Sequence, residues 1–280
     1  MDNKLIRKTN RFLWRNRKSL QQSLKFNPAQ QVILFIVGCQ RSGTSIIERV
    51  FDKDINTKVY DERSVLSSMD VPKGFRLNPF DQVKKEFSKV RAPLIVFKPL
   101  VESQNTLELL DYFDNSKALW MFRNFRGVAA SNIKYFGIRN GIDDIRPIAK
   151  NEPNNWRSEK VSKHVREIIS KYFSEDMNPF NAAVLFWYAR NSHFFDQELD
   201  KNPLVMMGYY DDIVLDPEKY VRSIYQQVGQ VYPEGNITTE VHANSRKKGK
   251  DLELSPEIEQ LAQELLEKLE AAYKTKSIQH

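Results

Sequence analysis

Six consecutive apolar residues, Val32-Ile33-Leu34-Phe35-Ile36-Val37, run directly into the loop Gly38-Cys39-Gln40-Arg41-Ser42-Gly43. Helical spacing then takes over from Ser45 to Phe51. An apolar run without alternation predicts a strand covered on both faces. Such a strand needs parallel neighbours and a helical layer on each side. Similar runs recur at Leu94–Phe97, Ala118–Phe122 and Leu204–Met207, with a weaker one at Thr57–Tyr60. Helical stretches at Thr106–Phe113, Gly127–Phe136 and Val161–Leu199 separate most of them. The expected fold class is α/β: a P-loop-type three-layer domain with a central parallel sheet of about five strands and helices on both faces.

Two late helices announce their starts. Asp216-Pro217-Glu218 and Ser255-Pro256-Glu257 each offer a capping side chain, a proline for the first helical position and an early acid. The stretch from Gly137 to Asn155 is rich in Asn, Asp, Gly and Pro and is expected to form loops. With no repeat and no low-complexity tract, residues 1–280 read as a single domain.

Charge narrows the function. Lys4, Arg7, Lys8, Arg11, Arg15, Arg17, Lys18 and Lys25 face only Asp2 within residues 1–25, which gives that segment all of the net charge of +7. The balanced remainder is not expected to form a nucleic-acid surface. Leu5, Ile6, Phe12, Leu13, Trp14, Leu20 and Leu24 lie among those bases, so residues 1–28 read as a basic helical segment. Three readings stay open: a helix packed on the domain, a peripheral contact with an anionic membrane, or a transit-type arm. Cys39 is the single cysteine and the four histidines lack ligand spacing, so neither disulfides nor a metal site is expected. No run is long enough to span a bilayer and no signal peptide is evident, which predicts a cytoplasmic protein.

The loop itself suits an anion. Glycines and small hydroxyls let successive N–H groups turn inward, and the helix start adds partial positive charge. The spacing matches G-x₄-G-K-[ST], but Thr44 replaces the lysine that reaches nucleotide β- and γ-phosphates. That argues against ATP or GTP hydrolysis. Arg41 supplies a planar cation within the loop instead.

Val37-Gly-Cys-Gln-Arg-Ser-Gly-Thr-Ser45 resembles the 5′-phosphosulfate loop of sulfotransferases that use 3′-phosphoadenosine 5′-phosphosulfate (PAPS). Leu119-Trp-Met-Phe-Arg-Asn-Phe-Arg-Gly-Val-Ala-Ala-Ser131 is similar to their 3′-phosphate motif, and Met207-Gly-Tyr-Tyr-Asp-Asp-Ile-Val-Leu-Asp-Pro217 to their Y-E-D-L-V-x-x-P segment. The three occur in the family's order. The resemblance implies PAPS as co-substrate, with Arg41, Ser42, Gly43, Thr44 and Ser45 at the phosphosulfate. It assigns Arg123 and Ser131 to the 3′-phosphate. Arg246 and Lys247, in Arg246-Lys247-Lys248-Gly249, resemble a late basic segment that reaches the same phosphate.

Catalytic roles follow from the same resemblance. One branch of the family uses a histidine just after a strand-end lysine; here Lys98 is present and Leu100 replaces the histidine. Other branches, protein-tyrosine enzymes among them, use a glutamate about twenty residues past the loop. Glu62 stands there as the expected general base, with Asp61 beside it and Glu48 as further candidates. Lys98 and Arg41 are expected to stabilise the transferring group, and Ser245 is a further candidate contact. The acceptor is a small-molecule, lipid, glycan or tyrosine hydroxyl. Residues 137–199 are the expected acceptor insertion, with Lys160, Lys163, Arg166 and Lys171 on one basic helix face. His164 and His193 read as structural helix residues. A P-loop kinase and a non-catalytic nucleotide-binding protein are the rival readings.

Overall fold

The computed structural model describes residues 26–70, 74–242 and 251–278, together with 14, 17, 18, 20–22 and 249. Five strands form one parallel sheet: β1 (Val32–Gly38), β2 (Thr57–Tyr60), β5 (Leu94–Phe97), β6 (Ser116–Phe122) and β7 (Val205–Tyr209). Their order is β2-β5-β1-β6-β7, so the first strand in sequence is the central one. Every residue of β1 is buried, which is why its sequence shows no alternation.

Alternation reappears as a division between two cores. Ile33, Phe35 and Val37 join Phe97, Trp120 and Phe122 on one face. Val32, Leu34 and Ile36 join Val96, Met121 and the side chains Ile47 and Phe51 on the other. Those last two belong to α1 (Thr44–Lys53). Between β2 and β5 come an antiparallel hairpin, β3 (Ser67–Asp70) and β4 (Gly74–Leu77), and helix α2 (Phe80–Phe87). The sequence pattern had suggested neither.

A 3₁₀ turn (Leu100–Asn105) and α3 (Thr106–Tyr112) lead from β5 to β6. Next come α4 (Phe125–Phe136), α5 (Asn140–Ala149), α6 (Lys163–Tyr172) and α7 (Pro179–Asp196). After β7 follow the short α8 (Tyr210–Ile213), α9 (Pro217–Gln227) and α10 (Pro256–Ile278). Asp216 caps α9 by accepting from the Lys219 amide at 3.3 Å, as its sequence suggested.

The expected loop from Gly137 to Asn155 is corrected by α5. Ile142, Ile145 and Ile148 recur at spacing three and are all buried. Its polar residues are satisfied: the buried Asp144 accepts from Arg157 Nε at 2.6 Å and from Asn140 at 2.7 Å. Gly141 allows close approach to α7, because a Cβ there would lie 2.6 Å from the Ala183 amide nitrogen. Composition pointed to turns; helical periodicity and tertiary partners won.

Most of residues 1–25 lie outside the described residues. Within that segment, Lys18 is buried and donates to the Asp52 carbonyl at 2.9 Å. The Gln22 amide donates to the carbonyls of Ile55 and Thr57 at 2.9 and 3.2 Å. These contacts dock Lys18 and Gln22 on the end of α1, its connection to β2 and the first residue of β2. Among the described residues no helix is long and apolar enough to cross a membrane.

Candidate functional site

The phosphate loop is shaped by two steric constraints. Gly38 has φ 119°, and a Cβ there would meet the Met121 carbonyl at 2.3 Å, so β1 can lie this close to β6 only with glycine at this point. Gly43 has φ 90°, and its Cβ would meet the Tyr210 ring at 2.4 Å. Arg41 also takes a left-handed φ of 66°, an uncommon conformation for a residue with a side chain.

Gly43 stands at the N-cap of α1, where no side chain caps the helix. The Ile46 amide donates to the Gly43 carbonyl at 2.9 Å, so the Thr44 and Ser45 amides are the first-turn donors that remain for a ligand at the positive end of the helix dipole. Ser42 Oγ is fully buried without a hydrogen-bond partner. Buried hydroxyls normally find a partner, so this one points to a missing ligand. Cys39 contributes no nucleophile: burial pushes its thiol up to about 12.

Arg41 reaches across to α4. Its Nε donates to Ser131 Oγ at 3.0 Å, and its guanidinium lies 4.3 Å from the Tyr135 ring centroid. Burial lowers its pKa, but the group remains a cation.

Lys98, at the carboxyl end of β5, has three partners. Its Nζ donates to Ser45 Oγ at 3.0 Å and pairs with Glu48 at 2.6 Å and Glu62 at 3.3 Å. Burial would lower the Lys98 pKa, but the two carboxylates outweigh it and hold the ammonium above its usual value. Burial raises the Glu62 carboxyl above the ordinary range, and Lys98 offsets this only in part. One ammonium between two carboxylates leaves the cluster negative, which makes both shifts consistent. Glu48 is closer to Lys98 than Glu62 is. Its position one turn into α1 was the sequence signal for that contact.

A cleft of about 290 Å³ joins these groups, lined by Gln40, Arg41, Thr44, Ser45, residues 61–63, Lys98, Leu100, Tyr135 and Phe136. Tyr135 and Phe136 were not anticipated at this cleft. Their signal would have been two aromatics at the end of a helix that starts at an anion-binding turn. Asp61 lies at the mouth and accepts from the Arg63 amide at 2.9 Å.

Arg123, the expected 3′-phosphate contact, does not line this cleft. It ends β6, is 4% exposed, and its guanidinium lies 4.2 Å from the Tyr210 ring centroid. Burial lowers its pKa, against a raising influence from Tyr210 and Asp211. Gly127 makes room for it, since a Cβ there would meet Arg123 Nε at 2.7 Å. Arg126, in the same motif, turns away to the Leu252 carbonyl at 2.8 Å and to Glu259.

Ser245, Arg246, Lys247 and Lys248 lie outside the described residues. Gly249, at the end of that basic turn, has φ +84° and packs where a Cβ would meet the Arg126 carbonyl at 2.3 Å. Lys160 and Lys163 pair with Glu108 and Glu167, the latter at 3.8 Å, and neither lines the cleft. His193 is 1% exposed and burial pushes its pKa down to about 3, so it is a neutral interior residue. Both its ring nitrogens lack partners, which differs from a satisfied helix histidine. Among the described residues no group of three His, Cys, Asp or Glu is arranged to hold a metal ion.

The model of the sulfotransferase domain family matches residues 32–277. The chain belongs to the sulfotransferase family. Its fold is shared by solved sulfotransferase domains of low sequence identity. One is from the olefin synthase of Synechococcus PCC 7002, with TM-score 0.52 and 13% identity, covering 86% of this chain and 98% of that one. Another, from the curacin biosynthetic pathway, has TM-score 0.52 and 14% identity, covering 84% and 98%. A sulfotransferase from Alicyclobacillus acidocaldarius has TM-score 0.50 and 16% identity, covering 88% and 95%. No curated protein matches the chain in sequence. As a sulfotransferase, the protein has its phosphate loop and Arg123 turn at the carboxyl edge of one parallel sheet, where ligands of open α/β sheets bind.

Proposed function

We propose that this sulfotransferase moves a sulfonate group from PAPS to a hydroxyl acceptor without a metal, leaving adenosine 3′,5′-bisphosphate. The observation that carries the reading is the convergence of Arg41, Lys98 and Glu62 on one cleft beside the orphaned Ser42 hydroxyl. The residues fit the donor. Ser42, Gly43, Thr44 and Ser45 would hold its phosphosulfate at the uncapped helix start, with Arg41 as the planar cation. Arg123 and Ser131 would hold its 3′-phosphate, with Arg246 and Lys247 of the late basic segment as further contacts to it.

PAPS supplies an activated sulfonyl group whose S–O bond to phosphate breaks as the bond to the acceptor oxygen forms. Glu62 takes the acceptor hydroxyl proton, and its raised proton affinity suits that task. Lys98, kept charged by its two carboxylates, stabilises the leaving phosphate oxygen. Glu48 holds Lys98 from α1 and orients it. The acceptor lies against residues 61–63, Leu100, Tyr135 and Phe136, ahead of the 137–199 block. We place the enzyme in the cytoplasm, acting on small-molecule, lipid, glycan or tyrosine hydroxyls.

The test is transfer of ³⁵S from labelled PAPS across phenols, sugars, lipids and tyrosine peptides. Scanning fluorimetry adds a binding readout: adenosine 3′,5′-bisphosphate is expected to raise the melting temperature and Mg·ATP is not. The reverse pattern would favour a kinase. Binding of the bisphosphate with no acceptor turned over would favour a non-catalytic protein.

A further inference from the structure

Arg190, on α7, is 0% exposed. Buried guanidinium groups are normally paired with carboxylates, because an isolated buried charge is costly. This one is not: among the described residues no carboxylate forms an ion pair with it. Its Nη1 donates to Gln104 Oε1 at 3.0 Å and its Nη2 to the Leu100 carbonyl at 2.9 Å. Its Nε is buried without a partner, and its Cζ lies 5.1 Å from the Trp156 ring centroid. Desolvation lowers its pKa to about 10, against a raising influence from Glu102 and Asp144, whose own ion pairs go to Arg76 and Arg157, so it remains a cation at neutral pH.

The position of this charge is specific. Leu100 lies two residues beyond Lys98, on the turn that carries that lysine into the cleft. The same Leu100 carbonyl accepts from Ser103 Oγ at 2.8 Å. Ser103 Oγ in turn accepts from the Gly38 amide at 2.9 Å and lies 3.0 Å from the Gly38 carbonyl. Gly38 opens the phosphate loop, and the next residue, Cys39, lies close enough to Arg190 for its thiol to feel the charge. Arg190 is therefore linked from behind to both cation-bearing parts of the site. The nearest carboxylate in its hydrogen-bond chain is one step removed: Gln104 Nε2 donates to Glu159 at 2.9 Å, and Glu159 pairs with Arg76 at 3.0 Å.

We propose that Arg190, a buried cation with no ion pair of its own, supplies positive potential beneath the anionic donor from behind the Lys98 turn and the phosphate loop. It touches neither donor nor acceptor, so it is a positioning residue. The inference rests on the sulfotransferase reading above. It explains why an expensive charge is kept where a carboxylate partner would cancel its field.

Two variants separate field from strut. Arg190→Lys keeps the charge, and Arg190→Met removes it. Isothermal titration with adenosine 3′,5′-bisphosphate should show about a tenfold or greater loss of affinity for Arg190→Met, and a loss within about threefold for Arg190→Lys. Because Arg190→Met also removes two buried hydrogen bonds, a third protein relocates charge without deleting the guanidinium. Gln104→Glu combined with Glu159→Gln keeps the net charge and sets a carboxylate against Arg190. It should fold and should lose affinity as Arg190→Met does. Wild-type affinity in the double variant, or an equal loss for Arg190→Lys and Arg190→Met, would overturn the proposal while the sulfotransferase reading stands. Failure of the wild-type protein to bind the bisphosphate would overturn both.

Discussion

Arg41 and Ser131, ninety residues apart in sequence, are joined by a hydrogen bond of 3.0 Å from Nε to Oγ. The contact links the phosphate loop to α4, the helix that begins just after Arg123. In the proposed function the two residues serve opposite ends of the donor. Each then exchanges part of this mutual contact for an anion.

Arg41→Ala should abolish transfer and weaken PAPS binding. A charge-assisted hydrogen bond is worth about 1.5–3 kcal/mol, roughly a ten- to hundredfold change in affinity. Titration calorimetry measures it directly. Unchanged affinity would remove Arg41 from the donor site.

At the other end, Arg123→Ala should weaken adenosine 3′,5′-bisphosphate but leave adenosine 5′-phosphosulfate nearly unaffected, since the latter lacks the 3′-phosphate. Gly127→Ala should act in the same direction by displacing the Arg123 side chain, whose Nε lies 2.7 Å from the position of the new Cβ. An equal loss for both nucleotides would place Arg123 elsewhere.

Glu62→Gln should lower kcat by about 10²–10⁴-fold with little change in PAPS affinity. Aliphatic alcohols should suffer more than acidic phenols, which need less help losing a proton. Normal turnover by Glu62→Gln with an inactive Asp61→Asn would move the base one residue along the chain.

The same carboxylate sets a pH dependence. Glu62 must be ionised to act as base, and burial raises its pKa above the ordinary 4.5. Activity should therefore fall with decreasing pH on a limb displaced above that value. Stability carries the opposite sign: the raised folded-state pKa gives a contribution present below 4.5 and lost as pH rises through the folded value. Glu62→Gln should remove that slope from the melting temperature. A wild-type slope in Glu62→Gln would assign it to another group.

Gln22→Ala should destabilise the protein by about 1–3 kcal/mol, since it leaves two carbonyl acceptors, one on the α1–β2 connection and one at the start of β2, without their donor. Urea denaturation reads this out. Flotation with anionic liposomes at low salt tests the membrane reading of residues 1–25. Binding that survives deletion of residues 1–17 would show that their charge is not responsible.

Much of this architecture was legible because it is local. The β1–loop–α1 unit, the short apolar strand segments and the cap at Asp216 each depend on neighbours within a few residues. Arg41 and Arg123 were named because ordered motifs carry them, and Lys98 and Glu62 because of their places at a strand end and about twenty residues past the loop. What stayed hidden depends on distant partners. The helix at Asn140–Ala149 is polar in composition, and its Asp144 is tolerated because Arg157 reaches it. Tyr135 and Phe136 became cleft walls only because α4 ends beside the turn at residues 61–63. Arg190 has the sequence appearance of an ordinary helix cation; only the packing of α7 against the 3₁₀ turn makes it interior.

Tyr210 touches both ends of the proposed donor site: its ring occupies the space a side chain at residue 43 would need and lies against the Arg123 guanidinium. The two proposed anion subsites therefore share a wall, and neither can be redesigned alone. A change at 43 must move the ring, and the ring then moves the arginine. Substitutions at 43, 123 and 210 should be epistatic, with combined effects departing from the sum of their parts. Over evolutionary time these three positions are expected to drift together or not at all.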